Sequence, residues 1–262
     1  MREHAALVES SRFGTRRVPW LRPFGWLAAG WRDFRRCPLP GLLHGLVLAG
    51  FGAALLVLAG SQFWLLTGAF SGFLLVAPVL ATGLYSVSRA LERHGRADLG
   101  VALSAWRPRD GRLVFFGALL ALAGTGWVMT SAALITGFAG VSVTDPQSFV
   151  QHVVLAERGV LFEVWLVLGG ALAAPVFASS VVAMPMLLDR EVSVLAAVFT
   201  SWRAVMDNPV TLAVWALLIV VLTVAGMALA MAGLVIVVPL LGHASWHAYR
   251  DLVRDRAPGP RR

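Results

Sequence analysis

His243 and His247 stand four residues apart at the end of the chain's last long apolar run. A separation of one helical turn puts both imidazoles on one face. Such a pair, given a third ligand, can hold a metal ion or ligate haem, or it can relay protons. His44, a few residues into the first apolar run, lies at a similar depth and is the candidate third member. The same residues read equally well as hydrogen-bonding groups at helix ends, tying down carbonyls freed by kinks. Thr82, Ser179 and His243 each follow a proline (Pro78, Pro175, Pro239) by four residues, and Ser86, Ala183 and His247 follow by eight. If the three prolines are structurally equivalent, Thr82, Ser179 and His243 form a polar ring around an axis. Only the third segment carries histidine at these positions, so its imidazoles are an addition the fold does not need.

Little else in the sequence can do chemistry. It has no glycine-rich phosphate loop, no paired intramembrane carboxylates, no Ser-His-Asp arrangement and no His-Glu-x-x-His. The lone Cys37 excludes an internal disulfide or a thiolate cluster and reads as a small interfacial residue. Glu157 and Glu163 are expected to pair with Arg158. The expectation is a protein without enzymatic activity and with no cofactor demanded by its sequence.

The elements that position these residues are membrane helices. Apolar residues make up 58% of the chain, charged residues 14%, and mean hydropathy is +0.76. Uncharged runs extend over 37–88, 113–144, 164–188 and 208–249. A crossing needs roughly 20 apolar residues. The first and last runs therefore hold two spans each (41–60 and 63–88; 210–226 and 231–249), and the middle runs hold one each, six in all. Gly60-Ser61-Gln62 breaks the first run. The last breaks between Gly226 and Gly233, a single long tilted helix being the competing reading. No cleavable signal is expected, since the first apolar run begins near residue 40.

All 22 basic residues are arginine. Eight precede the first span, six lie in 89–112, two in 190–203 and five in the tail from Arg250, leaving Arg158 alone on the other side. The positive-inside rule then places both termini in the cytoplasm. The net charge of +8 and pI near 11.4 are a topology signal and an attraction to anionic headgroups. They do not call for a nucleic-acid partner.

A degenerate repeat organises the chain. Trp31-Arg32, Trp106-Arg107 and Trp202-Arg203 each precede an odd-numbered span by about seven residues. Before each lies an apolar stripe at helical spacing: Phe24, Leu27 and Trp31; Leu99, Leu103 and Trp106; Leu195, Val198, Phe199 and Trp202. Pro78, Pro175 and Pro239 kink the even-numbered spans. The reading is an Arg-rich cytoplasmic tail (1–20), one membrane domain (21–254) built of three helix–span–span repeats (about 21–92, 99–190 and 195–254), and a short tail (255–262). Each stripe helix should lie in the headgroup layer, its Trp at the boundary and its Arg on phosphate. In the long loop after the third span, Asp145-Pro146 marks a helix start, and Phe149, Val150, Val153 and Val154 make an apolar face. That short helix is either a lid on the bundle or a docking surface.

The segment from Pro239-Leu240-Leu241-Gly242-His243-Ala244-Ser245-Trp246-His247-Ala248-Tyr249-Arg250-Asp251-Leu252 resembles the C-terminal signature of a family of bacterial predicted integral membrane proteins catalogued as a domain of unknown function. Trp20-Leu21-Arg22-Pro23-Phe24-Gly25-Trp26-Leu27 and the Gly-rich second span extend the resemblance. Some members of that family carry the label cytochrome c oxidase. The chain lacks the His-Pro-Glu-Val-Tyr copper site and the span number of a haem–copper subunit, so the resemblance implies an accessory or assembly partner of a respiratory complex. A small repeat-built transporter or lipid-handling protein is the alternative.

Overall fold

The computed structural model describes residues 2–58, 80–105, 111–143, 146–155, 160–229 and 231–255. Pro78, Trp106, Arg107, Asp145, Glu157, Arg158, the break at 60–62 and most of the expected second span lie outside these residues. Contacts divide the chain into two compact units: one of 1–49, 78–116 and 178–262, the other of 50–77 and 117–177.

The described helices are α1 (Arg2–Ser10), α2 (Arg22–Arg36), α3 (Pro38–Leu58), α4 (Thr82–His94), α5 (Leu99–Ser104), α6 (Gly111–Phe138), α7 (Pro146–Phe149, continued by a π-helical turn, Val150–Val154), α8 (Leu161–Ser180), α9 (Ala183–Asp189), α10 (Val194–Asp207), α11 (Pro209–Ala228) and α12 (Leu234–Leu252). Two short strands, β1 (Phe13–Thr15) and β2 (Val253–Asp255), pair antiparallel with Phe13 opposite Asp255.

Three stretches are long and apolar enough to cross a membrane: Gly111–Phe138, Leu161–Asp189 and Pro209–Ala228. A fourth is added if α2 and α3, bent by 105° at their junction, count as one broken span. Within these three stretches only 22–28% of the most apolar window is buried, so most of the apolar surface faces outward, as a lipid solvent requires. The last apolar run is two helices, not one. It breaks at 229–233, where Met231 takes a φ of 66° and buries its side chain. There Gly233 meets Gly226 so closely that a Cβ on it would lie 2.7 Å from the Gly226 Cα.

In the larger unit, proline begins a long apolar helix twice in the same manner. α2 ends at Arg36 and Pro38 opens α3; α10 ends at Asp207 and Pro209 opens α11. Proline suits the first helical position because its missing N–H would be unpaired there anyway. α2 buries Pro23, Trp26, Gly30, Asp33 and Phe34, leaving Phe24 and Trp31 exposed. α10 buries Ala196, Ala197, Thr200, Ser201 and Ala204, leaving Leu195, Trp202 and Met206 exposed. Small residues permit close helix approach on the inside. The large apolar stripes identified from the sequence point outward.

The first twenty residues are more than a tail. α1 packs on α10, and the Glu9 carboxylate caps the α10 N-terminus, accepting from Ser193 N at 3.2 Å and from Ser193 Oγ at 2.6 Å. Arg203 donates to the carbonyls of Ser10 and Phe13 at 2.7 and 3.0 Å, so this guanidinium holds the N-terminal segment where a phosphate contact was expected. Asn208 accepts from Val18 N at 2.8 Å and donates to Arg16 O at 3.0 Å. We expect Glu9→Ala to lower the thermal midpoint modestly, by the equivalent of about 1 kcal/mol, the usual worth of an N-terminal cap. An unchanged midpoint would mean the cap is replaced by water.

In the smaller unit Ile135, Val143 and Val153 form a buried cluster flanked by Phe149, Leu161, Phe162 and Trp165. The face of Phe149 and Val153 is thus spent on the unit's own core, as the lid reading requires. Trp165 donates to Ser131 Oγ at 2.7 Å, and a Cβ on Gly169 would lie 2.8 Å from the Trp127 ring, so these helices pack at a glycine.

Candidate functional site

The site is built where α12 runs antiparallel along α2 and meets the first turns of α3. Trp26 Nε1 donates to Asp251 Oδ2 at 2.9 Å, with Arg22 paired to the same carboxylate. One turn further on, Gly30 meets α12 backbone: a Cβ there would lie 2.6 Å from Ala244 N and 2.8 Å from Leu240 O. Gly41 faces Pro239, and Gly45 turns a Cα hydrogen toward the Val235 carbonyl oxygen. Val235 is the residue whose carbonyl Pro239 deprives of its helical partner. The close approach of α3 covers that orphan with a weak C–H···O contact, not with lipid.

Between the Gly30 crossing and the start of α3 lies a buried polar cluster. Asp33 is 7% exposed. Ser88 on α4 donates its hydroxyl proton to Asp33 Oδ2 at 2.8 Å, and His247 Nε2 approaches the same oxygen at 2.7 Å. His243 Nδ1 lies 2.8 Å from Ser88 Oγ. Since the serine's one proton is spent on the carboxylate, His243 must donate from Nδ1. Its Nε2 is then a lone pair, fully buried and without a partner among the described residues. His247 likewise donates from Nε2. One carboxylate thus accepts from α4 and α12 while belonging to α2. Burial raises the Asp33 carboxyl's pKa, but the donors His247 and Ser88 together outweigh it and hold the group below the ordinary carboxylate range.

A second belt surrounds this cluster. Glu92 on α4 accepts from Trp246 Nε1 at 2.9 Å and from Arg250 Nη2 at 2.9 Å, both on α12. Asp189 accepts from Tyr249 Oη at 2.9 Å and from Arg93 Nη2 at 2.6 Å, and Arg190 reaches Asp255 at 2.8 Å. Two carboxylates on α4 and α9 therefore hold the polar end of α12 in place.

The three histidines do not make a ligand set. Among the described residues no group of three or more His, Cys, Asp or Glu is arranged to hold a metal ion. His44 Nδ1 donates to the Pro40 carbonyl of its own helix at 2.7 Å, and its Nε2 lies against Gly83, where a Cβ would come within 2.6 Å of it. His243 and His247 share one face and one cluster as their spacing implies, but the group between them is Ser88–Asp33. Of the residues of the expected polar ring, Ser179 accepts from Trp202 Nε1 at 2.9 Å, and His243 turns to Ser88. Thr82 is buried on α4. Pro175 and Pro239 lie inside α8 and α12 as expected.

Nor is the cluster a nucleophilic triad. Ser88 bonds Asp33 directly, and the imidazole beside it donates toward the hydroxyl, so the order is not the serine–imidazole–carboxylate relay of a triad. What the arrangement offers is a charged, hydrogen-bonded tie between three helices, beside a cavity of about 180 Å³ lined by Arg32, Arg36, Asp33, Ser88, Glu92 and His247. The sequence reading missed Asp33, Ser88 and Glu92. The available signal was the spacing Trp26, Gly30, Asp33, which puts a carboxylate on the face marked by a tryptophan and a glycine.

Residues 65–189 match the model of a family described as Predicted integral membrane protein (DUF2189), in keeping with the resemblance drawn from the Gly-rich second span and from segments on either side. The match and the three or four apolar helices of crossing length make this a multi-pass integral membrane protein. No curated protein and no solved structure matches the chain.

Proposed function

We propose that the protein is a non-catalytic component of the bacterial inner membrane, an accessory or assembly partner of a membrane complex such as a respiratory oxidase. It crosses six times, with both termini cytoplasmic, in three helix–span–span repeats. One observation carries the non-catalytic reading: in the polar cluster around Asp33, the Ser88 hydroxyl proton and one ring nitrogen each of His243 and His247 are committed to joining α2, α4 and α12. The outward stripes of α2 and α10, with Trp31 and Trp202 41% and 39% exposed, supply surface for lipid or for neighbouring membrane helices. The two Pro-initiated helices at Pro38 and Pro209 support the repeat.

Reporter fusions test the topology: those after Gln62 and Gln151 should be periplasmic, those after Arg96 and Arg262 cytoplasmic. A cytoplasmic Gln151 would overturn it. For the role, deletion of the gene should lower the amount of assembled oxidase, read from reduced-minus-oxidised haem spectra of membranes, and oxidase subunits should co-purify with the tagged protein. Unchanged spectra together with a lone chain in the eluate would remove the accessory reading. The small cavity beside Asp33 favours the second reading, a lipid-handling protein, which that outcome would leave standing.

A further inference from the structure

The cavity beside Asp33 has an unbalanced account of charge. Its two carboxylates already have their donors: Asp33 takes Ser88 and His247, and Glu92 takes Trp246 and Arg250. Its two guanidiniums do not have acceptors. Arg32 and Arg36, one turn apart on α2, are exposed and make no ion pair or hydrogen bond among the described residues. Several other arginines are engaged: Arg22 with Asp251, Arg93 with Asp189, Arg250 with Glu92 and Arg203 with backbone carbonyls. The His247 ring also lines the cavity, with Nε2 committed to Asp33 and no partner on Nδ1 among the described residues. At about 180 Å³ the space far exceeds the roughly 10–15 Å³ that one water needs.

We propose that this cavity binds a phosphoryl anion, held between the guanidiniums of Arg32 and Arg36 with the His247 imidazole at its inner wall. Two forks one turn apart match the several acceptor oxygens of a phosphate, which takes donors from more than one direction. The buried carboxylate behind His247 does not repel the ligand as a bare charge would, because its donors neutralise part of it. The outward apolar stripe of Phe24 and Trp31 on the same helix adds what a lipid would contact beyond its phosphate. The phosphate can thus come from an anionic headgroup or from solution. The headgroup source rests on the reading that α2 lies in the headgroup layer; the solution source does not.

Native mass spectrometry of the detergent-purified protein separates the two. With phosphatidylglycerol and phosphatidylcholine offered together, the wild type should retain phosphatidylglycerol, and the double variant Arg32→Gln, Arg36→Gln should hold it about thirtyfold more weakly, from roughly fivefold per guanidinium. Arg35→Gln, an exposed neighbour in the last turn of α2 that does not line the cavity, should bind as the wild type does. All the variants change exposed side chains, and their folding is checked by tryptophan fluorescence and gel filtration. In a second arm, inorganic phosphate is titrated and the thermal midpoint followed. A phosphate-dependent rise that the double variant loses, without lipid retention, assigns the site to free phosphate. Equal retention of both lipids, or equal binding by wild type and double variant in both arms, overturns the proposal. Reporter fusions that invert the topology, with the anion still bound, would refute the proposed orientation alone.

Discussion

Gly30→Val should abolish the folded membrane protein, or lower its thermal midpoint further than any other single change in α2. The reason is local and backbone-bound. A Cβ at residue 30 would fall 2.6 Å from Ala244 N and 3.0 Å from Ala244 Cα, and 2.8 Å from Leu240 O. No rotamer of the new side chain relieves a clash with main chain, so α2 and α12 must move apart. Overpacking a well-packed interface costs about 1–3 kcal/mol even where side chains can shift; here the cost should be at the top of that range or beyond. Separating these helices would also stretch the Asp33–His247 contact at 2.7 Å and the Trp26–Asp251 contact at 2.9 Å. Circular dichroism melts in detergent, beside a Gly25→Ala control whose Cβ meets only the flexible Arg22 side chain at 3.9 Å, decide the matter. Comparable midpoints for the two variants would mean that the α2–α12 crossing is looser than described.

That crossing also shows what the residue order reveals and what it hides. Hydropathy alone located the apolar runs, and the glycines at 226 and 233 placed the break between α11 and α12, because a run of forty apolar residues must turn somewhere and glycine allows close return. The apolar stripes of α2 and α10 were legible as stripes, and the membrane class of the chain, not their spacing, gave the expectation that they face the headgroup layer. In water the large apolar face turns inward; in lipid it turns outward, and small residues do the packing. Period cannot distinguish these cases. Asp33 was obscured by its neighbours Arg32, Arg35 and Arg36, which make the end of α2 look like a solvated charged face. Its partners are on helices more than fifty residues distant in sequence, and no local pattern announces them. His243 and His247 were legible as a pair on one face. Their spacing fits a metal and a carboxylate–serine bridge equally, and only the fold brings Ser88 and Asp33 between them.

Asp33→Ala should be the most damaging polar substitution. It removes the acceptor from Ser88 Oγ and His247 Nε2 together, leaves the Ser88 hydroxyl buried without it, and frees His243 from the ordered serine it donates to. Leaving a buried donor without its acceptor typically costs about 1–3 kcal/mol, because the group keeps its desolvation cost without the compensation. Asp33→Asn separates charge from hydrogen bonding. Both donors converge on one oxygen, and an amide oxygen in that place can still accept from both, so the neutral variant should retain a large part of the stability that alanine loses. The two should also differ with pH. Because Asp33 is held below its unfolded value when folded, its contribution is fully present above the ordinary carboxylate range and is lost as pH falls through the depressed value. Wild type should therefore show a component of acid destabilisation that Asp33→Asn lacks. Thermal midpoints of the three proteins between neutral and acidic pH read this directly. An alanine variant as stable as wild type would show that the carboxylate merely occupies the interface, and parallel acid profiles for wild type and asparagine would show that its charge does not bind the three helices together.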